Sequence, residues 1–280
     1  MVKKYMGKII VLALEGLEVS LVEKFKLNSL LQKYHGRYDA ESEKYTASTL
    51  WASFLTGLSP EKVNLEFVER ETSSTVKGSG FLKSLGRIIF KPRPPSVKSK
   101  YKTILDYFDR PLPFNVLSYN EEHEQFKVRQ EYDPSDIIDD KSKRAEAHLV
   151  WKKLTIKLTE MFTRMLKRRK WDLAMTHLYY TDVVGHIFPD DEQRVLEAYR
   201  LVDSFVGELR SIFKHSIMLI VSNHGMKQGV HTNHGFWSSN VKIPTKPSSI
   251  TDFFGIILKF KEMEDERKKI IKILRDLGYM

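Results

Sequence analysis

The 280-residue sequence contains no cysteine. That excludes disulfides, thiolate zinc sites and cysteine nucleophiles. A metal held by this chain must use His, Asp, Glu, Asn or a hydroxyl. The chain also lacks any apolar run near the ~20 residues needed to cross a bilayer, so no membrane association is expected. Its start, Met1-Val-Lys-Lys-Tyr-Met-Gly-Lys8, leads directly into Ile9-Ile-Val-Leu-Ala-Leu14. A signal peptide carries a longer apolar stretch and a small-residue cleavage site. Ile9–Leu14 therefore reads as a first core strand, and a cytoplasmic location is expected. No internal repeat is visible.

With 41% hydrophobic residues the chain can bury a sizeable core. Its length exceeds the usual one-domain mode without requiring two domains, and a single domain over 1–280 is expected. The formal net charge of +10 attracts polyanions and phosphorylated substrates. A heat-adapted surface rich in Lys, Arg and Glu explains the same balance equally well.

Strand-like apolar runs alternate with helical patterns. Ile9–Leu14 is followed by Glu15-Gly16 and a helix near Val19–Phe25. A hydroxyl-rich turn at Thr46 opens a short helix that stops at Gly57-Leu-Ser-Pro60. Residues 71–104 combine turn chemistry with Lys83, Arg87, Lys91, Arg93, Lys98, Lys100 and Lys102, and read as part of a basic insertion at about 61–104. Residues 103–108 and 114–118 suggest a strand and helix. A long helix is expected from Ser142 to Lys170, with Leu149, Leu154, Leu158, Met161, Met165 and Leu166 at its apolar positions. A strand over Leu173–Tyr180, a helix over Asp190–Phe213 and a strand over Ile217–Val221 follow. Two closing helices are expected from Thr251 to Met280. This alternation predicts an α/β fold, a mostly parallel sheet with helices on both faces.

The chemistry-bearing residues gather at expected strand ends. Ser222-Asn223-His224-Gly225-Met226 follows Ile217–Val221, with His231 and His234 shortly after. Thr181-Asp182-Val-Val-Gly185-His186 follows the strand at Leu173. Open α/β sheets place their ligands at the carboxyl ends of their strands. Asp182 and His186 stand at i and i+4, so one helical turn aims both at one ion. A lone histidine is usually solvated or packed, but four of the nine at two strand ends point to a shared cation site. Nitrogen and carboxylate ligands favour zinc, with manganese or iron as alternatives. Glu15 ends the first strand, where it can join that site or simply neighbour a helix N-terminus. Thr46 and Ser48 offer hydroxyls at a helix N-terminus, where backbone N–H groups hold phosphate oxygens; in isolation they are ordinary caps.

Leu14-Glu15-Gly16, Trp51-Ala-Ser-Phe-Leu-Thr-Gly57-Leu-Ser-Pro60, Thr181-Asp182-Val-Val-Gly185-His186, Ser222-Asn223-His224-Gly225 and His234-Gly235 occur in an order that resembles the alkaline phosphatase superfamily. The nearest likeness is to its type I phosphodiesterase and nucleotide pyrophosphatase branch, in archaeal-type form. The resemblance implies an alkaline-phosphatase-like three-layer sandwich. It also implies a two-metal phosphodiesterase or nucleotide pyrophosphatase acting on a phosphorylated small molecule or nucleotide.

One ion would be held by Asp182, His186 and a later histidine, His234 in preference to His231. The other would be held by Glu15, Asn223, His224 and the nucleophilic hydroxyl. The family has Asp where Glu15 stands and Ser-Asp-His-Gly where this chain has Ser-Asn-His-Gly. Its nucleophile spacing lands on Ala47, which has nothing to attack with; Thr46 is preferred in its place and Ser48 second. Asn223 removes one charge from the second ion's shell, worth about 4 kcal/mol at 4 Å and an effective dielectric of 20. Two ions are therefore expected, one of them weak. The alternative is a weakened or inactive member that binds a phosphorylated ligand or nucleic acid with one metal. Direct nucleic-acid recruitment through residues 83–102, with Phe90 and Tyr101 stacking on bases, has no motif behind it.

Overall fold

The computed structural model describes residues 7–63, 96–97 and 100–277. The expected basic insertion lies largely outside them, including Lys83, Arg87, Phe90, Lys91, Arg93 and Lys98. No helix among the described residues is long and apolar enough to cross a membrane.

The expected apolar runs become β1 (Ile9–Leu14), β4 (Leu173–Leu178) and β5 (Ile217–Ser222), in which every residue is buried. β1 lies between β4 and β5, parallel to both. β3 (Pro111–Phe114) extends the parallel set beyond β4. On the other side β8 (His234–Ser239) runs antiparallel to β5, and β2 (Tyr34–Asp39) antiparallel to β8. The sheet order is β2-β8-β5-β1-β4-β3. It is a mixed sheet whose larger part is parallel, and the two antiparallel strands were not anticipated. β2 reads Tyr-His-Gly-Arg-Tyr-Asp, with only Tyr38 buried, so it carries no apolar run to betray it.

Helices cover both faces. α2 (Ala47–Thr56) and α5 (Lys141–Arg168) lie on opposite sides. Phe114 and Thr176 are register partners and share a face; Phe114 stacks on Phe162 of α5. His177, pointing the other way, meets Trp51 of α2 edge-on. α6 (Tyr180–Ile187) and α7 (Glu192–Ile212) pack beside α5, and α8 (Asp252–Asp276) packs on α2. The inward face of α7 buries Val195, Tyr199, Val202, Phe205, Val206 and Leu209. On α5, Leu149 is exposed, and Trp151 fills the core instead.

Two sequence expectations are corrected. The closing segment is one helix, α8, because no proline interrupts it and its single glycine, Gly255, is tolerated within it. The element expected around 103–118 is a single 3-10 turn at Ile104–Tyr107 followed by β3, and the next helices, α3 and α4, span His123–Glu131 and Pro134–Ile137.

Gly16 joins β1 to the edge. Its φ is +74°, and a Cβ there would lie 2.6 Å from the Cα of Asp182. Gly16→Ala forces both a left-handed alanine and a backbone shift. It should cost about 2–4 kcal/mol, read as a lowered urea midpoint with an unchanged slope.

Candidate metal centre at the carboxyl edge of the sheet

β1, β4 and β5 are parallel neighbours, so their carboxyl ends open on one edge. Glu15 follows β1, Asp182 lies in the first turn of α6 immediately after β4, and Asn223 and His224 follow β5. Backbone contacts lock these ends together. Glu15 donates its N–H to Leu178 O at 3.0 Å, and the Thr181 hydroxyl donates to Glu15 O. Ser222 Oγ accepts from Leu17 N and donates to His224 O.

His231 arrives by a hairpin that the sequence did not reveal. β6 (Gly225–Lys227) and β7 (Val230–Thr232) pair antiparallel with Met226 opposite His231. The two-residue turn, Gln228-Gly229, has both residues at positive φ, the mirror-type turn suited to tight hairpins. The hairpin docks on α6 because Gly185 has no side chain: a Cβ there would lie 2.2 Å from Met226 Cγ.

The result is a compact triangle. Asp182 Oδ1 lies 3.6 Å from His186 Nε2 and 3.4 Å from His231 Nε2, and the two nitrogens are 2.8 Å apart. A four-coordinate zinc with bonds of about 2.0–2.1 Å sets its ligand atoms roughly 3.3 Å from one another. These three atoms form the one cluster of metal-ligating type found among the described residues. The buried Asp182 Oδ1 has no hydrogen-bond partner. His186 Nδ1 faces Gly229 O at 3.0 Å. As donor it fixes the tautomer with the Nε2 lone pair aimed at the triangle. The donor set and the orphaned carboxylate oxygen fit a divalent ion.

His224 sits at the side of this triangle. Its Nε2 lies 3.8 Å from Asp182 Oδ1 and 3.7 Å from Glu15 Oε1, and its ring stacks on His231 with centroids 3.7 Å apart. Burial pushes its pKa down, but Glu15 and Asp182 outweigh burial and leave it raised.

His234, preferred over His231 at the sequence level, faces elsewhere. Its Nε2 lies 3.1 Å from Glu18 Oε2. The buried Glu18 also accepts from the Ser20 N–H and hydroxyl and from Thr232 Oγ1. Burial alone would raise the Glu18 carboxyl; the Ser20 and His234 contacts reverse this and lower it. His234 thus ties the start of β8, and Thr232 the hairpin, to the start of α1 (Val19–Lys24).

Sequence reasoning also passed over His177. It is fully buried in β4, with Nε2 2.9 Å from Glu15 Oε2. A lone polar ring inside Leu-Ala-Met-Thr-His-Leu was the available signal. Burial would raise the Glu15 carboxyl, but His177 and His224 overcome this and hold it well below the usual range.

Thr46 is the exposed N-cap of α2 and accepts from Thr49 N at 3.3 Å. Ala47 is the first helical residue and Ser48 the second. Trp51, one turn further on, meets His177 at 5.3 Å between centroids, so the N-terminal half of α2 packs beside the edge that carries Glu15. Phe236 and Trp237 are buried packing residues.

Among solved structures, the chain is similar in fold to alkaline phosphatase from the Antarctic bacterium TAB5. A histidine-to-glutamate variant of that enzyme with Mg bound aligns at a TM-score of 0.51 and 9% identity, covering 92% of this chain and 99% of that one. A histidine-to-aspartate variant gives 0.50 and 10% over the same shares. The PH0037 protein from Pyrococcus horikoshii aligns at 0.48 and 11%, covering 92% and 97%. No curated protein matches the chain. The two alignments to the TAB5 enzyme at 0.50 and 0.51 show an alkaline-phosphatase-like fold. Residues 86–267 match the family model for type I phosphodiesterase / nucleotide pyrophosphatase, and the chain belongs to that family of phosphoester hydrolases. The match includes Asp182, His186, Asn223, His224, His231 and His234; Glu15, Thr46 and Ser48 precede it.

Proposed function

We propose that this protein is a metal-dependent phosphohydrolase, a phosphodiesterase or nucleotide pyrophosphatase whose essential ion is held by Asp182, His186 and His231. The triangle of ligand atoms, with edges of 2.8, 3.4 and 3.6 Å, carries this reading. Zinc is the first candidate, with manganese and iron next, from the nitrogen-rich donor set. A divalent ion there supplies Lewis-acid stabilisation of phosphoryl oxygens.

The chain's own residues supply the rest. The first turn of α2 offers backbone N–H groups to a phosphoryl oxygen. The Thr46 hydroxyl is the proposed nucleophile, with Ser48 the competitor. Its oxygen forms a bond to phosphorus as the bond to the leaving group breaks, releasing an alkoxide from a diester or a phosphate from a pyrophosphate, and its proton passes to solvent. Water then hydrolyses the resulting phosphoryl- or nucleotidyl-enzyme. The substrate is a phosphorylated small molecule or nucleotide.

The test is hydrolysis of bis(p-nitrophenyl) phosphate and p-nitrophenyl phosphate by zinc-loaded protein. Turnover with preference for the diester is expected, with loss on chelation and recovery on adding zinc or manganese. A protein that binds the ion and hydrolyses neither ester is instead the weakened, ligand-binding member that Ala47 and Asn223 favour.

A further inference from the structure

The set expected to hold a second ion differs sharply from the triangle. The His186 and His231 side chains are 23% and 35% exposed, whereas Glu15, His177 and His224 are at 1–2%. One set is reachable from solvent and the other is sealed. Glu15 is hydrogen-bonded at one oxygen and closely approached at the other. His177 Nε2 stands 2.9 Å from Oε2, and Asn223 donates its Nδ2–H to Oε1 at 2.9 Å. The His177 approach makes no directed hydrogen bond: Glu15 Oε2 and His177 Nε2, like Asn223 Oδ1 and His224 Nε2, are buried without a hydrogen-bond partner, so His177 stands where an ion would approach Oε2 without satisfying that oxygen.

We propose that this chain closes its second ion position with its own side chains: Asn223 holds one oxygen of Glu15, His177 blocks the approach to the other, and the sheet edge holds a single divalent ion at Asp182, His186 and His231.

The neighbours of His177 hold it in that role. Its ring lies between Trp51, at 5.3 Å, and Tyr179, at 4.5 Å, both edge-on. Trp51 is 1% exposed and Tyr179 6%, so the imidazole is packed between two buried aromatic rings. Asn223 is fixed by electrostatics. Its amide turns NH2 toward Glu15, because the carbonyl turned that way would meet a carboxylate. It thereby presents donor hydrogens where a cation needs lone pairs. An aspartate would present an anionic oxygen instead, and Asn223 has one charge fewer to offer. Behind the ring, Arg129 lies 5.6 Å from the Tyr179 ring centroid and pairs with Glu121 at 3.0 Å. His177 is thus a positioning residue for Glu15 and, through Glu15, for His224 beside the ion.

This inference rests on the reading that Asp182, His186 and His231 bind an ion, and the experiment separates the two. Zinc is counted by equilibrium dialysis, and cobalt by visible absorption, on the full chain, Asp182→Asn, Glu15→Gln and His177→Leu/Asn223→Asp. One equivalent on the unaltered chain, none on Asp182→Asn and a second on the double variant are expected. Two equivalents on the unaltered chain overturn the inference and leave the proposed function standing; none overturns both. A folded double variant that still binds one ion shows that other groups close the position, against the inference. Glu15→Gln tests it even where the double variant fails to fold. With Glu15 outside the ion's shell, it should lose no more than about tenfold in zinc affinity, and complete loss of the ion contradicts the proposal.

Discussion

His231→Ala is expected to lower zinc affinity by more than about 100-fold, since removing a partner that merely orients a ligand already costs 10- to 100-fold. Its nitrogen closes two edges of the triangle, at 2.8 Å to His186 and 3.4 Å to Asp182. Nothing else on the hairpin replaces it: its neighbours Val230 and Thr232 offer no imidazole, and His234 faces Glu18. His234→Ala should behave differently. It should keep the zinc count while costing about 1–3 kcal/mol of stability, because the buried Glu18 loses a partner. Calorimetric zinc titration and thermal unfolding of the two variants separate the roles. Loss of zinc in His234→Ala, with retention in His231→Ala, would reverse the assignment.

Thr46→Val is expected to lower kcat by about 10³–10⁴, equivalent to roughly 4–5.5 kcal/mol of transition-state stabilisation. Thr46→Ser should retain most activity, because it keeps both the hydroxyl and the cap. The helix-capping loss in Thr46→Val, about 1 kcal/mol, appears as a change in Tm and is too small to account for the kinetic effect. Ser48→Ala is the control one residue beyond Ala47. If Ser48→Ala loses activity and Thr46→Val does not, the nucleophile is Ser48. If neither does, the covalent route through α2 is wrong. Single-turnover kinetics with a labelled diester reads the enzyme-bound intermediate directly.

The parallel centre of the sheet was legible because β1 and β5 are apolar runs and β4 is mostly apolar, interrupted only by Thr176 and His177. Long helices were legible through their period, and α5 and α7 fall within a few residues of their expected ends. The antiparallel side was not. β2 is mostly exposed, and β8, His-Gly-Phe-Trp-Ser-Ser, has too few apolar residues to stand out. The i, i+4 spacing gave the meeting of Asp182 and His186 directly. Choosing between His231 and His234 needed the hairpin, whose only local sign was Gln228-Gly229, a weaker turn signal than Asn-Gly. His177 is hidden from motif reasoning for a different reason: its meaning comes from β1 beside β4, a pairing between residues 164 positions apart in sequence, as Ala13 opposite His177 shows.

The most direct test of the metal centre is zinc K-edge X-ray absorption on the zinc-loaded chain beside zinc-loaded His231→Ala. Two imidazole nitrogens and a carboxylate oxygen at about 2.0–2.2 Å are expected in the unaltered protein, with one imidazole lost in the variant. An identical spectrum from both proteins, or a zinc shell without imidazole scattering, would contradict the assignment of Asp182, His186 and His231.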